Sequence, residues 1–535
     1  MLFNITRMLN FKNTLLIVLS TLFLNCSPKK MENLNVLFIS VDDLNDWVGV
    51  LNGHHQAITP NLDKLFTTGG VYFSNAHSAQ PVCAASRAAI LSGKHPINSG
   101  WYSNTSKMAT NYDEVMKDHD MLPEYLKNNG YDTFAVGKVF HSGESDFKEH
   151  TNDYWSEFAP HFWNNMEESV KKTGRGYRGY MFYPFPKDGG QLVRAYGEDT
   201  INNYYRERNR FYSLCGGPLS DSEIPEGGMY DEQIANWAID KLKSKRANPF
   251  FMAVGFIRPH VPYTAPQKYF DLYDRDSLWI PTVPEDEMKD IPLFGKAIAY
   301  GWTPKGDWED VREVEGFRRD LVHSYLACLS FVDGQIGKVI NALNNSEYKD
   351  NTIIVLWSDH GQHLGEKRHY RKQALWEEAT KSVLYFKTPN SDTSGESKEP
   401  VSLLDIYPTL VDLLGESNIE ALDGKSLKPQ IDNPDQIVNN PALSVWEYKN
   451  YAVRSKNWRY IHYRDGSEEL YDHTKDPEEY NNLANLPEYK KVVEEHKKWL
   501  PKTEALPVGS KEWTGGKYDR LIEEWERDSI PVWLN

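Results

Sequence analysis

Four apolar stretches of this 535-residue chain each stop at ionisable side chains. Asn35 to Val41 runs into Asp42 and Asp43, and Thr352 to Trp357 runs into Ser358, Asp359, His360 and Gly361. Pro249 to Phe256 is followed by Arg258, Pro259 and His260, and Tyr131 to Val136 by Gly137 and Lys138. Such continuous β-branched and apolar runs predict buried parallel strands. Open α/β sheets bind ligands at the carboxyl ends of their strands, so these groups are expected to share one crevice. Carboxylates gathered there suit a hard cation, imidazoles suit proton transfer, and Lys and Arg suit an anion. Taken singly, an Asp pair after a strand more often caps the next helix, and a lone histidine is more often structural. Convergence of several strand ends is what favours chemistry. Elsewhere, Arg87 follows Cys83 by four residues, one turn along if a helix starts there.

The elements that must position these groups read as α/β. Helices fall between the strands, for example at Thr59-Pro60-Asn61-Leu62-Asp63-Lys64-Leu65, with Thr59 as N-cap and Pro60 in the first turn. Residues 142–228 are rich in Gly, Tyr, Trp and Phe with weak periodicity, and are expected to form long loops over the sheet. Beyond residue 415 the pattern changes. Tyr451 to Arg454, Trp458 to Tyr463 and Glu468 to Asp472 predict short antiparallel strands, with a turn at Asp465-Gly466 and a Lys/Glu-rich helix over 487–499. The expected division is a catalytic domain at 32–415 and an α+β subdomain at 416–535.

Composition narrows the function. Hydrophobic residues at 40% and charged residues at 25% exclude disorder and a multispan membrane protein. A net charge of −16 argues against nucleic acid as partner, and it requires a local cationic pocket for any anionic substrate. Four cysteines in this length do not make a disulfide framework; Cys215 and Cys328 read as free thiols. Arg7 and Lys12 precede the apolar residues 15–19 and 22–24, a run too short to span a bilayer. Residues 1–25 therefore read as a signal peptide. Its end at Cys26 resembles a bacterial lipoprotein signal, implying export and a lipid anchor in the periplasm or on the surface of a Gram-negative cell.

The segment from Pro81 to Lys94, with Cys83, Ser86, Arg87, Leu91, Ser92 and Gly93, resembles the signature of type I, formylglycine-dependent sulfatases. The resemblance extends through Asp42-Asp43, Thr59 to Asp63, Gly137 to His141, Arg258 to His260, Asp359 to Gly361, Leu364 to Glu366, Leu470 to Asp472 and Asp476-Pro477. It is nearest the branch that contains iduronate-2-sulfatases. It implies an alkaline-phosphatase-like fold, with a large central mixed sheet flanked by helices and a smaller C-terminal α+β subdomain. It also implies oxidation of Cys83 to formylglycine (3-oxoalanine) by a formylglycine-generating maturation enzyme. Asp42, Asp43, Asp359 and His360 become the metal ligands, with Cys83 at the same ion. The carboxylates suit Ca²⁺, for which imidazole is the less usual partner. Arg87 is expected to face the formylglycine oxygens, Lys138 to stabilise charge, and His141 to take the proton of the diol. His260 is expected to protonate the leaving alcohol and Lys372 to grip sulfate. Ala85 replaces the commoner Pro of the signature, and Lys381-Ser382 replaces a common Val-Pro pair.

Some residues carry two readings. Lys94 is either a second cation near Cys83 or a solvated lysine. His363 and Arg371 stand near the site in sequence and can reach a substrate carboxylate or sulfate. The Tyr177–Phe185 aromatics either contact sugar rings or pack a loop. The implied activity is hydrolysis of sulfate monoesters of a sulfated oligo- or polysaccharide, with the marine algal polymer ulvan as leading candidate. The alternatives are a phosphate or phosphonate monoester hydrolase of the same superfamily, and a catalytically decayed sugar-binding lipoprotein.

Overall fold

The computed structural model describes residues 33–104, 112–141, 151–159, 190–191, 216–301, 305–389, 391–415 and 419–534. The signal segment with Cys26, most of the 142–228 loops including Tyr177–Phe185, and Cys215 lie outside the described residues.

All four apolar runs form strands: Asn35–Val41, Asp132–Gly137, Phe250–Phe256 and Thr352–Ser358. Side chains alternate across a strand, so two apolar faces need two covers. Leu37, Ile39 and Val41 pack on one side with Met252, Val254, Ile354 and Leu356. That face is covered by the helices Phe317–Asn344, Tyr230–Leu242 and Pro60–Thr67. Val36 and Phe38 pack on the other side with Phe251, Ala253, Val355 and Trp357. There the helices Cys83–Ser92, Leu122–Asn128 and Ile406–Leu413 form the cover.

The sheet has eight strands, in the order Ser394–Ser397, Gly70–Phe73, Leu384–Lys387, Thr352–Ser358, Asn35–Val41, Phe250–Phe256, Asp132–Gly137 and Glu157–Phe158. Leu384–Lys387 runs antiparallel to both of its neighbours, which makes the sheet mixed. Register decides where the strands end. Val41 lies opposite both Phe256 and Ser358, and Gly137 lies opposite Gly255. The residues that follow each strand therefore leave the sheet along one edge.

A second sheet is formed by Ala442–Val445, Tyr451–Arg454, Trp458–His462 and Glu468–Asp472, all antiparallel. The first of these was not expected from sequence. A helix at Lys490–Lys497 follows, and another at Lys517–Asp528. Lys381–Ser382 forms a short antiparallel pairing with Ala76–His77, which fixes the path after the departure noted there. Thr59 precedes the helix with Pro60 in its first turn, but its hydroxyl does not cap. It accepts from Gly49 N at 2.9 Å and donates to Asp63 at 3.3 Å instead. Cys328 is a buried free thiol, as expected, and burial pushes its pKa up to about 12.

The strand that delivers Lys138 depends on a close approach. Gly137 has φ +74°, and a Cβ there would lie 2.1 Å from the Gly255 carbonyl. Gly130 has φ +88° with open space around it. Gly130→Ala is therefore expected to cost about 1 kcal/mol, the left-handed penalty alone. Gly137→Ala is expected to cost on the order of 3 kcal/mol by denaturant unfolding, because the clash adds to the strain. Equal losses in the two variants would contradict this reading.

Candidate active site

Cys83 is the first residue of the Cys83–Ser92 helix, and every residue of that helix is buried. Its small residues Ala84, Ala85, Ala88 and Ala89 let the helix backbone lie close to its neighbours. Arg87, one turn on, is enclosed at the sheet edge. Its Nε donates to Asp359 Oδ2 at 2.8 Å, and its guanidinium lies 3.5 Å from Asp42 Oδ1. The remaining bonds go to Ser40 Oγ at 3.3 Å, to the Val139 carbonyl at 3.2 Å and to the Lys138 carbonyl. Trp357 lies under the guanidinium at 5.4 Å. Through Nε and Nη1 this arginine is a strut between strand ends, bonding Asp359 and three further oxygens. The expected role facing formylglycine falls to Nη2, which is buried with no hydrogen-bond partner.

The four strand ends do converge. The main chain turns sharply after Asn35–Val41, with Asp43 in the left-handed region at φ 59°. Asp43 N donates to Asp359 Oδ1 at 3.2 Å, which ties the first and last of these strands together. Lys138 pairs with Asp42, and Lys372 Nζ lies 2.5 Å from Asp43 Oδ1. His260 Nε2 stands 3.9 Å from oxygens of both Asp42 and Asp43. His360 Nδ1 donates to the Gly361 carbonyl at 2.9 Å. Its Nε2 therefore faces Cys83 Sγ at 3.3 Å, Asp43 at 3.5 Å and Asp359 at 3.6 Å. His141 completes the ring with a side-chain hydrogen bond to Cys83.

The electrostatics follow from this packing. Burial alone would push the Cys83 thiol up, but Lys138, Lys372 and His360 outweigh it and hold it well below its usual range. Burial likewise opposes ionisation of Asp42, yet Lys138, His260 and Arg87 keep it below the ordinary carboxylate range. Asp359 goes the other way: burial raises it to about 6 against the pull of Arg87 and His360. Position 83 is therefore a place where negative charge is favoured.

A divalent cation fits the same residues. Asp42 Oδ1 and Asp43 Oδ2 are buried and have no hydrogen-bond partner. Buried carboxylate oxygens left without donors are costly unless a cation meets them. Ligand atoms of Asp42, Cys83, Asp359 and His360 lie within 4.8 Å of one another, as do those of Asp42, Asp43, Cys83 and His260. The carboxylates of Asp42, Asp43 and Asp359 make the set rich in hard oxygen, with the imidazoles of His360 and His260 at its edge.

Three sequence readings fall outside this cluster. Lys94 donates to the Ala421 carbonyl at 2.7 Å, beyond the far end of the helix that Cys83 begins, so it is not a cation at the nucleophile. Arg371 is paired with buried Asp307, and His363 is buried with Nδ1 on the Glu366 carbonyl at 3.1 Å. Tyr325 was missed. From the middle of Phe317–Asn344 its hydroxyl donates to the Asp43 carbonyl at 2.8 Å and accepts from Asn45 N at 2.9 Å. Its setting in an apolar helix gives no local signal of that role.

Removing Arg87 leaves Asp42 and Asp359 buried beside each other without their strut. Arg87→Met is expected to cost about 3–5 kcal/mol in unfolding free energy. Arg87→Lys is expected to recover only part of it, because an ammonium cannot fork between two carboxylates and the carbonyls. Full stability in both variants would refute the strut.

The family model described as Sulfatase matches residues 34–416, and the model for the C-terminal part of N-sulphoglucosamine sulphohydrolase matches 365–505. A sulfatase from Formosa agariphila is 36% identical over 505 residues, covering 94% of this chain and 92% of its own. Human iduronate 2-sulfatase is 30% identical, covering 72% of this chain and 69% of its own. An ulvan-active sulfatase from Formosa agariphila is 27% identical, covering 93% and 87%. Among solved structures, a phosphonate monoester hydrolase from Silicibacter pomeroyi superposes with a TM-score of 0.67 at 20% identity, covering 94% of this chain and 96% of that one, a likeness of fold. The fold is the alkaline-phosphatase-like one that the resemblance implied, and the chain belongs to the sulfatase family, a sulfuric ester hydrolase.

Proposed function

We propose that this sulfatase acts on a sulfated carbohydrate, with an algal polysaccharide of the ulvan type as its substrate. The observation that carries the chemistry is Cys83 at the centre of Lys138, Lys372, His141 and His360, beside carboxylates with unpartnered oxygens. The carbohydrate reading is supported by the relative that is active on ulvan and by the iduronate 2-sulfatase. Export by residues 1–25 and anchoring through Cys26 suit a polymeric substrate met outside the cytoplasm.

Oxidised to formylglycine and hydrated, Cys83 supplies a hydroxyl as nucleophile toward sulfur. Asp42, Asp43, Asp359 and His360 would hold a divalent ion, Ca²⁺ in our reading, which would supply positive charge against the sulfate. The chain's own residues supply the rest. His141, in contact with position 83, takes the proton of the attacking hydroxyl. Lys138 and Lys372 stabilise the sulfate oxygens and answer the repulsion expected from a net charge of −16. His260 has Nδ1 committed to the Val261 carbonyl at 2.6 Å, so Nε2 is the atom that gives a proton to the leaving sugar oxygen. Arg87 keeps Asp359 in place through Nε and the strand ends through Nη1. Its Nη2, 3.5 Å from Asp42 and without a hydrogen-bond partner, is the atom that faces the formylglycine oxygens. The bond from sulfur to the sugar oxygen breaks as the bond to residue 83 forms. The second hydroxyl of residue 83 then gives up its proton and collapses to the aldehyde, breaking the Cβ–O bond and expelling hydrogensulfate. One water rehydrates the aldehyde, so that one ester and one water give one sugar alcohol and one hydrogensulfate.

The test is sulfate release from ulvan, carrageenan and heparan-type polymers after co-expression with a formylglycine-generating enzyme, with Cys83→Ala as blank. Release from ulvan is expected, and none in the blank. His260→Ala is expected to slow release from sugar sulfate by roughly 10²–10⁴-fold. It should slow an aryl sulfate much less, since a nitrophenolate leaves without a proton. The reading fails if formylglycine is confirmed by mass spectrometry and only phosphate or phosphonate esters are cleaved. Release from carrageenan or heparan alone would retain the sulfatase and replace ulvan.

A further inference from the structure

Far from Cys83, two cavities of about 340 Å³ and about 380 Å³ share the lining residues Pro400, Val438, Asn440, Pro441 and Trp499. They form one groove, along the seam between the region around Val401–Leu404 and the second sheet. His95, three residues past the helix that Cys83 begins, lines one end, so that helix of about 15 Å separates groove and nucleophile.

Trp499 stands where the two cavities meet and is 47% exposed, an unusual setting for so large an apolar ring. Trp458 lines the second cavity. The wall of the first carries Gln430, only 3% exposed. No described residue hydrogen-bonds its amide, so an amide with two donors and an acceptor is aimed into the groove unanswered. Asn440 adds a second amide along the shared wall. An indole face beside free amides suits the apolar face and hydroxyl rim of a pyranose ring.

Charge decides which sugars. Glu399 is paired with Lys456 at 2.6 Å. Asp423 accepts from His95 N at 2.7 Å and Asn98 Nδ2 at 2.9 Å. Asp405 accepts from Lys425 N at 2.8 Å and Ser402 N at 3.0 Å. Lys425 and Glu495 are both exposed, one in each cavity, and nothing resembles the Lys138–Lys372 pair that meets sulfate in the active site. We infer that this groove is a non-catalytic binding site for uncharged pyranose residues of a glycan chain, with Trp499 as the stacking platform and Gln430 as the hydroxyl reader. The glycan occupant rests on the carbohydrate reading above. Such a site holds a polymer on the enzyme by its unsulfated stretches while the catalytic crevice takes the sulfated ones.

The experiment uses the full chain carrying Cys83→Ala, which binds without turnover. The probes are four neutral hexasaccharides, built of xylose, glucose, mannose and galactose. Each is titrated by tryptophan fluorescence and calorimetry. Saturable binding of at least one is expected, weakened tenfold or more by Trp499→Ala and by Gln430→Leu. Both substitutions, placed in the chain with native Cys83, should leave aryl sulfate hydrolysis and the unfolding midpoint unchanged. No saturable binding of any probe, binding that survives both substitutions, or tighter binding of a sulfated hexasaccharide at this groove would overturn the inference. Trp499 is a surface residue, so its variant keeps the test valid if Gln430→Leu fails to fold. Because no turnover is involved, a chain that binds here yet releases no sulfate would sink the proposed substrate and not the groove.

Discussion

Asp42, Asp43 and Asp359 have no exposed surface, and they lie together. Three buried carboxylates repel one another and lose their hydration, a cost no apolar packing can repay. The fold is arranged around meeting that cost. Arg87 comes from a helix on one face of the sheet, Lys138 from a strand end two places along the sheet from Asn35–Val41, and Lys372 from a loop beyond the last of the four strands. No two of these cations are neighbours in sequence, so none arrives unless register and helix placement are correct. The same concentration of charge that is costly in an empty core is what an anionic ester with a poor leaving group requires.

The second sheet takes part in this arrangement from outside the site. Glu377 accepts from Arg454 at 2.9 Å and pairs with Arg459. Arg459 also meets Glu479 at 2.6 Å, and His473 meets Glu479 at 2.9 Å. This network bolts the segment after Lys372 to the second sheet. That segment in turn receives Gly361 N on the Ala379 carbonyl at 3.0 Å, immediately after His360. Buried ion pairs are poor sources of net stability but good selectors of one arrangement. Here they hold the Asp359–His360 turn from its far side.

The strands of the sheet and the identity of the converging groups were legible because apolar runs ending in charge carry both facts in consecutive residues. The turn from Gly137 to Lys138 was legible for the same reason. What consecutive residues do not carry is direction. Arg87 sits one turn from Cys83, and that spacing is equally compatible with a guanidinium aimed at the nucleophile or at the sheet edge. Ser40, Asp359 and the Lys138 and Val139 carbonyls, which come from three distant segments, draw Nε and Nη1 to the sheet edge and leave Nη2 for the other side. Tyr325 and Gln430 were illegible in the same way. One is an aromatic in an apolar helix and the other an amide in a short one, and only tertiary placement gives either a partner or denies it one. Thr59 had the right type and place for a cap, but Gly49 and Asp63 claimed its hydroxyl.

The orphaned oxygens of Asp42 and Asp43 are the place for a bound divalent cation, the counterpart of the lysines around Cys83. The most direct measurement is metal analysis of the purified chain after exhaustive gel filtration, beside Asp42→Asn and Asp359→Asn. One equivalent of divalent ion per chain, Ca²⁺ in our reading, is expected, lost in both variants and recovered by the native chain on adding Ca²⁺ after chelation. A native chain that holds no ion at saturating Ca²⁺, Mg²⁺ or Mn²⁺ and cleaves sulfate esters undiminished in chelator would contradict it.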